Sequence, residues 1–222
     1  MSNPFKNKNL VRGARYAGII VVLACGAKKT EQPPTPVPTA PLPTAGLAGQ
    51  KVALTPLALV AAEDSLHWDA VIADRRPTLD KCDSIISTLF AARSPEVTWV
   101  PPAELRRVAR RAAGIAADPD QLGTPFLRAE QLVDVPDPLR YQLRTLMGLV
   151  GGRYVLVPAG LVFRKPPAGP SAHPPVAVAE LSVVLIDTRV GRVGWRTVAR
   201  GEGDDPWVAL TRAVKSLTPG LP

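Results

Sequence analysis

The stretch from Thr30 to Gln50 sets the outer limit on what this chain can fold into. Pro33, Pro34, Pro36, Pro38, Pro41 and Pro43 are interleaved there with threonine and alanine, and no aromatic residue appears. Proline fixes φ and removes a backbone donor, so such a run supports neither a helix interior nor a sheet ladder. With little apolar surface to offset its ordering entropy, residues 25–50 are predicted to form a disordered, polyproline-like tether. Folding is then expected to begin at Lys51. Residues 51–222 are long enough for a single domain that buries most of its apolar surface without disulfides.

Upstream of the tether the chain reads as a targeting segment. Its only charges are Lys6, Lys8, Arg12 and Arg15, followed by an uncharged run from Tyr16 to Ala24. That run is about nine residues, whereas crossing a bilayer takes about 20, so residues 1–24 are predicted to be a secretory signal peptide. Val22-Leu23-Ala24-Cys25-Gly26 resembles the bacterial lipobox, with Leu23 where a small or polar residue is usual. The resemblance implies lipidation at Cys25. The alternative is an ordinary signal peptide with a chance cysteine. Because Gly26 is not the aspartate that retains such proteins at the inner membrane, the resemblance also implies an outer-membrane anchor facing the periplasm. Cleavage before Cys25 lowers the formal net charge from +8 to +4, a mild bias that does not point to nucleic acid. Of the 2 cysteines, lipidation leaves Cys82 with no disulfide partner.

The remainder alternates between two periods. Lys51 to Val60 reads as an opening strand interrupted at Pro56. Leu79, Cys82, Ile86, Leu89 and Phe90 recur at helical spacing, which predicts a helix over 78–92 with Cys82 as a small buried hydrophobe. Glu96–Val100 is a short strand stopped by Pro101-Pro102, and Pro102 suits the first turn of a second helix. Residues 118–136 are ambiguous, with at most one short helix. Leu139, Leu143, Leu146, Met147 and Val150 predict a third helix over 138–150, ended by Gly151-Gly152. Three strands follow, Tyr154–Phe163, Val176–Asp187 and Arg192–Arg200. Leu181 to Ile186 is apolar at nearly every position, the pattern of a strand covered on both sides. Asp205-Pro206 opens a last helix, with Asp at the cap and Pro inside it. The order predicts an α/β fold, a mixed sheet with helices packed on it.

No catalytic constellation emerges. His67 and His173 are far apart and in loops, and no cysteine pair remains for a metal. Gly148 to Gly152 ends a helix, whereas a phosphate loop opens one. Neither Ser65 with His67 and Asp69 nor Ser171 with His173 sits in a strand-to-helix elbow. The chain is therefore read as a non-enzyme with no cofactor. Its most distinctive surface feature is the second helix, where Arg106, Arg107, Arg110 and Arg111 gather opposite an apolar side. Such a face recognises carboxylates or phosphates, or is simply solvated.

Leu185-Ile186-Asp187-Thr188-Arg189-Val190-Gly191-Arg192-Val193-Gly194-Trp195 resembles the hairpin of a bacterial envelope group. That group includes the TolB amino-terminal domain, LpoB and CsgG. Lys51 to Leu57 is similar to the group's first strand, and Tyr154 to Val157 to the strand opening its second half. In this hairpin Asp187 can bond turn amides, Gly191 can take positive φ and Trp195 can cover the strand pair, all structural roles. The resemblance implies a lipid-anchored, periplasm-facing adaptor or regulator that binds an envelope protein or another anionic envelope component. The alternative is a structural lipoprotein that self-assembles as a homo-oligomer. No paired apolar hairpins of barrel-lining length are present, which disfavours a pore.

Overall fold

A computed structural model describes residues 38–166 and 176–219. Cys25, the signal peptide, Ser171 and His173 lie outside the described residues, as does the first part of the tether. In chain order the elements are α1 (Thr44–Leu47), β1 (Lys51–Leu54), β2 (Val60–Ala62), α2 (Asp69–Ile72), α3 (Arg75–Arg93), β3 (Thr98–Val100), α4 (Pro102–Arg111), α5 (Leu139–Val150), β4 (Tyr154–Arg164), β5 (Ala177–Asp187), β6 (Arg192–Gly203) and α6 (Pro206–Ser216). The ambiguous stretch after α4 holds two short 3₁₀ turns, Pro119–Gln121 and Thr124–Arg128.

The strands form one mixed sheet in the order β3-β1-β4-β5-β6. β1 runs parallel to both β3 and β4, because helices return the chain to the same end of the sheet. The proline break after β1 divides the opening segment as expected: β2 is a second short strand that pairs with the far half of β4. β5 pairs antiparallel with both β4 and β6, and a hairpin at Asp187–Arg192 joins β5 to β6.

Both faces of the sheet are covered, and each has its own core. Val52, Leu54, Leu156 and Leu181 face one way, packing with Cys82, Ile86 and Phe90 of α3 and Leu210 and Val214 of α6. Ala53, Val155, Val157 and Ile186 face the other, packing with Leu105 and Ala109 of α4 and Leu143 and Leu146 of α5. This alternation is the two-residue period of a strand read against two helical layers. β5, buried between β4 and β6, is the central strand that its continuous apolar run implied. The helix ends follow local chemistry. Asp205 accepts from the N–H groups of Trp207 and Val208 at 2.8 and 3.1 Å, and Gly151 closes α5 at φ 77°.

One boundary needs correction. The tether does not extend to Gln50, and the folded unit does not start at Lys51. Leu42 and Leu47 are 5% and 3% exposed within the α3–α6 core. The Leu42 N–H donates to the Leu217 carbonyl at 2.8 Å. Thr39 Oγ1 donates to the Val198 carbonyl and accepts from the Arg200 N–H, and the Ala40 N–H donates to Thr197 Oγ1. The segment thus lies along the outer edge of β6, a row of backbone groups that would otherwise go unpaired. Its few leucines are enough to anchor it once that edge and the end of α6 exist.

Candidate functional site

In an open sheet with parallel strands, the natural ligand crevice lies beyond the carboxyl ends of neighbouring strands whose connections leave to opposite faces. Here β1 leads into α3 on one face, and β3 leads into α4 on the other. The crevice between them is filled by the chain itself. The Leu57 N–H, just past β1, donates to Oδ1 of Asp83 on α3 at 2.8 Å. Asp83 Oδ2 accepts from the Arg106 guanidinium on α4 at 2.7 Å. Arg106 also grips Asp120 beyond α4, with Nε–H bonds of 2.9 and 3.0 Å and an Nη2–H bond of 2.7 Å. Arg76 of α3 bonds Asp120 and Asp80 at 2.9 and 3.0 Å, which ties the cluster together.

This placement corrects the reading of one exposed arginine face. The Arg106 side chain is only 13% exposed. It occupies the flank of the stripe formed by Pro102, Leu105 and Ala109, so it turns into the seam between α3 and α4 while the others turn out. Arg107 pairs with Glu104 one turn back. Arg110 and Arg111 are exposed, with no ion pair or hydrogen bond among the described residues. Arg110 borders a cavity of about 350 Å³ that Arg106, Asp118 and Asp120 also line.

The electrostatics follow burial. Burial pushes the Asp83 carboxyl up to about 6, against the downward pull of the Leu57 N–H and Arg106. Burial also acts on Asp120, but bonds from Arg106 and Arg76 outweigh it and hold that carboxyl below its ordinary range. The difference is access to water: the Asp120 side chain is 25% exposed and that of Asp83 only 6%. Cys82, fully buried, is pushed up to about 12 by burial, so it is a core thiol rather than a reactive one.

Asp83, Asp120, Asp80 and Arg76 were missed in the sequence. A signal for one of them existed. Asp83 falls at helical spacing between Leu79 and Ile86, an acid on the core-facing stripe, which demands a partner.

The hairpin residues lie at the far end of β5 and β6. Asp187 accepts from Arg153 Nε–H at 2.8 Å and from the Arg189 N–H at 3.0 Å. The Arg153 bond is the main cause that holds its carboxyl below the ordinary range. Gly191 has φ 70°, and a side chain there would collide with Arg140. Trp195 faces Leu185 across the strand pair, half-buried against the α3–α6 core. His67, in a loop with φ 53°, is exposed.

No family model matches the sequence, and no curated protein matches it. Solved structures do. The LpoB C-terminal domain from Salmonella enterica is 15% identical with a TM-score of 0.36, over 70% of this chain and 84% of that one. A lipoprotein from Neisseria meningitidis is 14% identical with a TM-score of 0.32, over 69% of this chain and 80% of that one. The PelC dodecamer from Paraburkholderia phytofirmans is 13% identical with a TM-score of 0.35, over 82% of this chain and 94% of that one. The chain is similar to each of these three.

Proposed function

We propose that this chain is a lipid-anchored, periplasm-facing adaptor of the bacterial cell envelope. It binds a partner through the exposed arginines of α4 and performs no catalysis. The observation that carries this reading is the division of labour on α4. Arg106 closes the crevice where a sheet of this kind would otherwise hold a small ligand, while Arg110 and Arg111, one turn on, face solvent with no ion pair among the described residues. Guanidiniums in that state recognise carboxylates or phosphates on an approaching surface.

Charge reversal tests the docking surface. Arg110→Glu with Arg111→Glu is expected to change folding stability by less than about 0.5 kcal/mol each, because both are exposed and unpaired. Partner capture from detergent-solubilised native membranes should fall sharply in the double variant. In the wild type it should weaken at 1 M salt, where screening tightens to about 3 Å. Capture that ignores both the substitutions and the salt returns these arginines to a solvated face. The anchor has its own test: Cys25→Ser should leave an uncleaved precursor that labelled palmitate does not mark. Equal labelling of wild type and variant ends the lipoprotein reading.

Self-assembly is the second reading, and one observation favours it. Asp64, Asp69 and Asp74 are exposed and carry no ion pair among the described residues, so the chain presents a complement to its own arginines. Native mass spectrometry separates the two readings. A monomer supports the adaptor, and a ring or ladder lost on reversal of Arg110 and Arg111 supports assembly.

A further inference from the structure

At the end of the sheet where β1, β4 and β6 begin and β5 finishes, pairing sets Val52, Tyr154, Asp187 and Arg192 in one row across neighbouring strands. Lys51 and Arg153 stand one residue further out, and Arg189 lies in the turn between β5 and β6. α5 borders this row. Its Arg140 packs on the turn at Gly191, and at its other end Lys51 Nζ donates to the Val150 carbonyl at 3.2 Å. Arg144, exposed and one helical turn after Arg140, stands between those two contacts.

Charge does not balance along this end. Six cations, Lys51, Arg140, Arg144, Arg153, Arg189 and Arg192, meet three carboxylates, Asp134, Asp137 and Asp187. Each carboxylate is already taken: Asp137 by Arg140 at 2.9 Å, Asp134 by Arg192 at 3.2 Å, and Asp187 by Arg153. The side chains of Arg144 and Arg189 make no ion pair or hydrogen bond among the described residues. Glu96 lies beyond the row, at the β3 edge.

Two apolar groups project from the same end. Val190, beside Arg189 at the tip of the turn, is 60% exposed, and Tyr141, beside Arg140, is 73% exposed. Cations around an aliphatic tip and a tyrosine fit the boundary of a bilayer, where phosphates overlie acyl chains and tyrosine favours the head-group level. An acidic protein would meet the guanidiniums but would need a separate apolar pocket for each projecting group. A bilayer supplies both at once.

We propose that this end of the sheet is a membrane-docking surface for anionic phospholipid head groups. Arg144 and Arg189 meet phosphates, and Val190 and Tyr141 enter the head-group layer. The surface goes beyond the adaptor reading and uses neither Arg110 nor Arg111. It orients the domain against a bilayer and leaves the anchor to other residues.

Hydrogen exchange on the full chain tests this, read by mass spectrometry after detergent removal in the presence of vesicles. The vesicles are phosphatidylcholine alone or with about one-third phosphatidylglycerol. On the anionic vesicles, peptides covering 139–145 and 186–194 are expected to exchange about tenfold more slowly, while 60–72, toward the other end of the sheet, holds. The added protection should vanish at 1 M salt, where screening tightens to about 3 Å. Arg144→Glu with Arg189→Glu should abolish it without loss of the fold, since both side chains are exposed and unpaired. Lys165→Glu, the same change of charge beyond the far end of β4, should leave it intact. Equal exchange on the two kinds of vesicle overturns the proposal. So does protection that survives the double substitution, or that is lost equally in Lys165→Glu. Protection that appears only when membrane proteins are added overturns it in favour of an acidic protein. The comparison holds whether or not Cys25 carries lipid, because both kinds of vesicle meet the same chain. Partner capture through Arg110 and Arg111 is scored in detergent without a bilayer, so either reading can fail alone.

Discussion

Arg106→Ala is expected to cost about 3–5 kcal/mol of folding stability, far more than any other arginine of α4. The loss is not the worth of an ion pair in water. Removing the guanidinium leaves the Asp83 carboxylate buried at 6% side-chain exposure with one remaining hydrogen bond, from the Leu57 N–H. It also strips Asp120 of its main partner. Urea unfolding of wild type and variant measures the difference, and Arg110→Ala, expected within about 0.5 kcal/mol of wild type, is the control. The loss should depend on pH in a stated direction. Asp83 is raised from an ordinary 3.8 to about 6, so its protonated form favours the fold. That contribution is complete below the ordinary value and is lost as pH rises through about 6. The Arg106→Ala penalty should therefore be largest near neutrality and shrink in mild acid, as the orphaned carboxyl takes up a proton. A penalty under about 1 kcal/mol at neutral pH would mean that water reaches the cluster freely.

Gly201→Ala is expected to be comparably destructive, for reasons of space alone. β6 lies flush against α6 at this point. A Cβ on Gly201 would meet the backbone N of Ala213, the carbonyl oxygen of Ala209 and the carbonyl carbon of Arg212. None of these atoms is a side chain that can rotate away, so the whole helix must lift. Gly203 repeats the arrangement, with the Ala209 backbone N 2.6 Å from an added Cβ. Lifting α6 pulls Leu210 and Val214 out of the core and undoes the seat of Leu42 on Leu217. Overpacking of this rigid kind costs about 3 kcal/mol or more, measured as a fall in unfolding midpoint with unchanged slope. Gly148→Ala in α5, where an added Cβ meets open space, is the control. It is expected to gain about 0.5–1 kcal/mol from helix propensity. A Gly201→Ala variant as stable as wild type would show that α6 does not pack on β6 as described.

The parts of this fold legible in the sequence are those written in short-range repeats. The stripe of Leu79, Cys82, Ile86 and Phe90 placed α3, although the helix begins a turn earlier, at Arg75. Asp205-Pro206 and Gly151 marked helix ends because capping chemistry is satisfied within a few residues. The apolar run of β5 announced a covered central strand. The candidate site was half legible. Clustered arginines on α4 could be read from spacing, but which of them faces inward could not, since Arg106 is a helical turn from both Pro102 and Arg110.

What decided that question lies elsewhere in the chain. Asp83 is 23 residues before Arg106 and Asp120 is 14 after it, and only the packing of α3 against α4 over the end of β1 brings the three together. The tether boundary has the same explanation. Leu42 and Thr39 look like parts of a proline-rich linker until the end of α6 and the edge of β6, at least about 160 residues later, supply their partners. The sequence by itself determined the period, the caps and the apolar faces, because those depend on neighbours along the chain. The tertiary structure alone decided which charges are buried and where folding begins, because a buried charge or an open strand edge finds its partner across space.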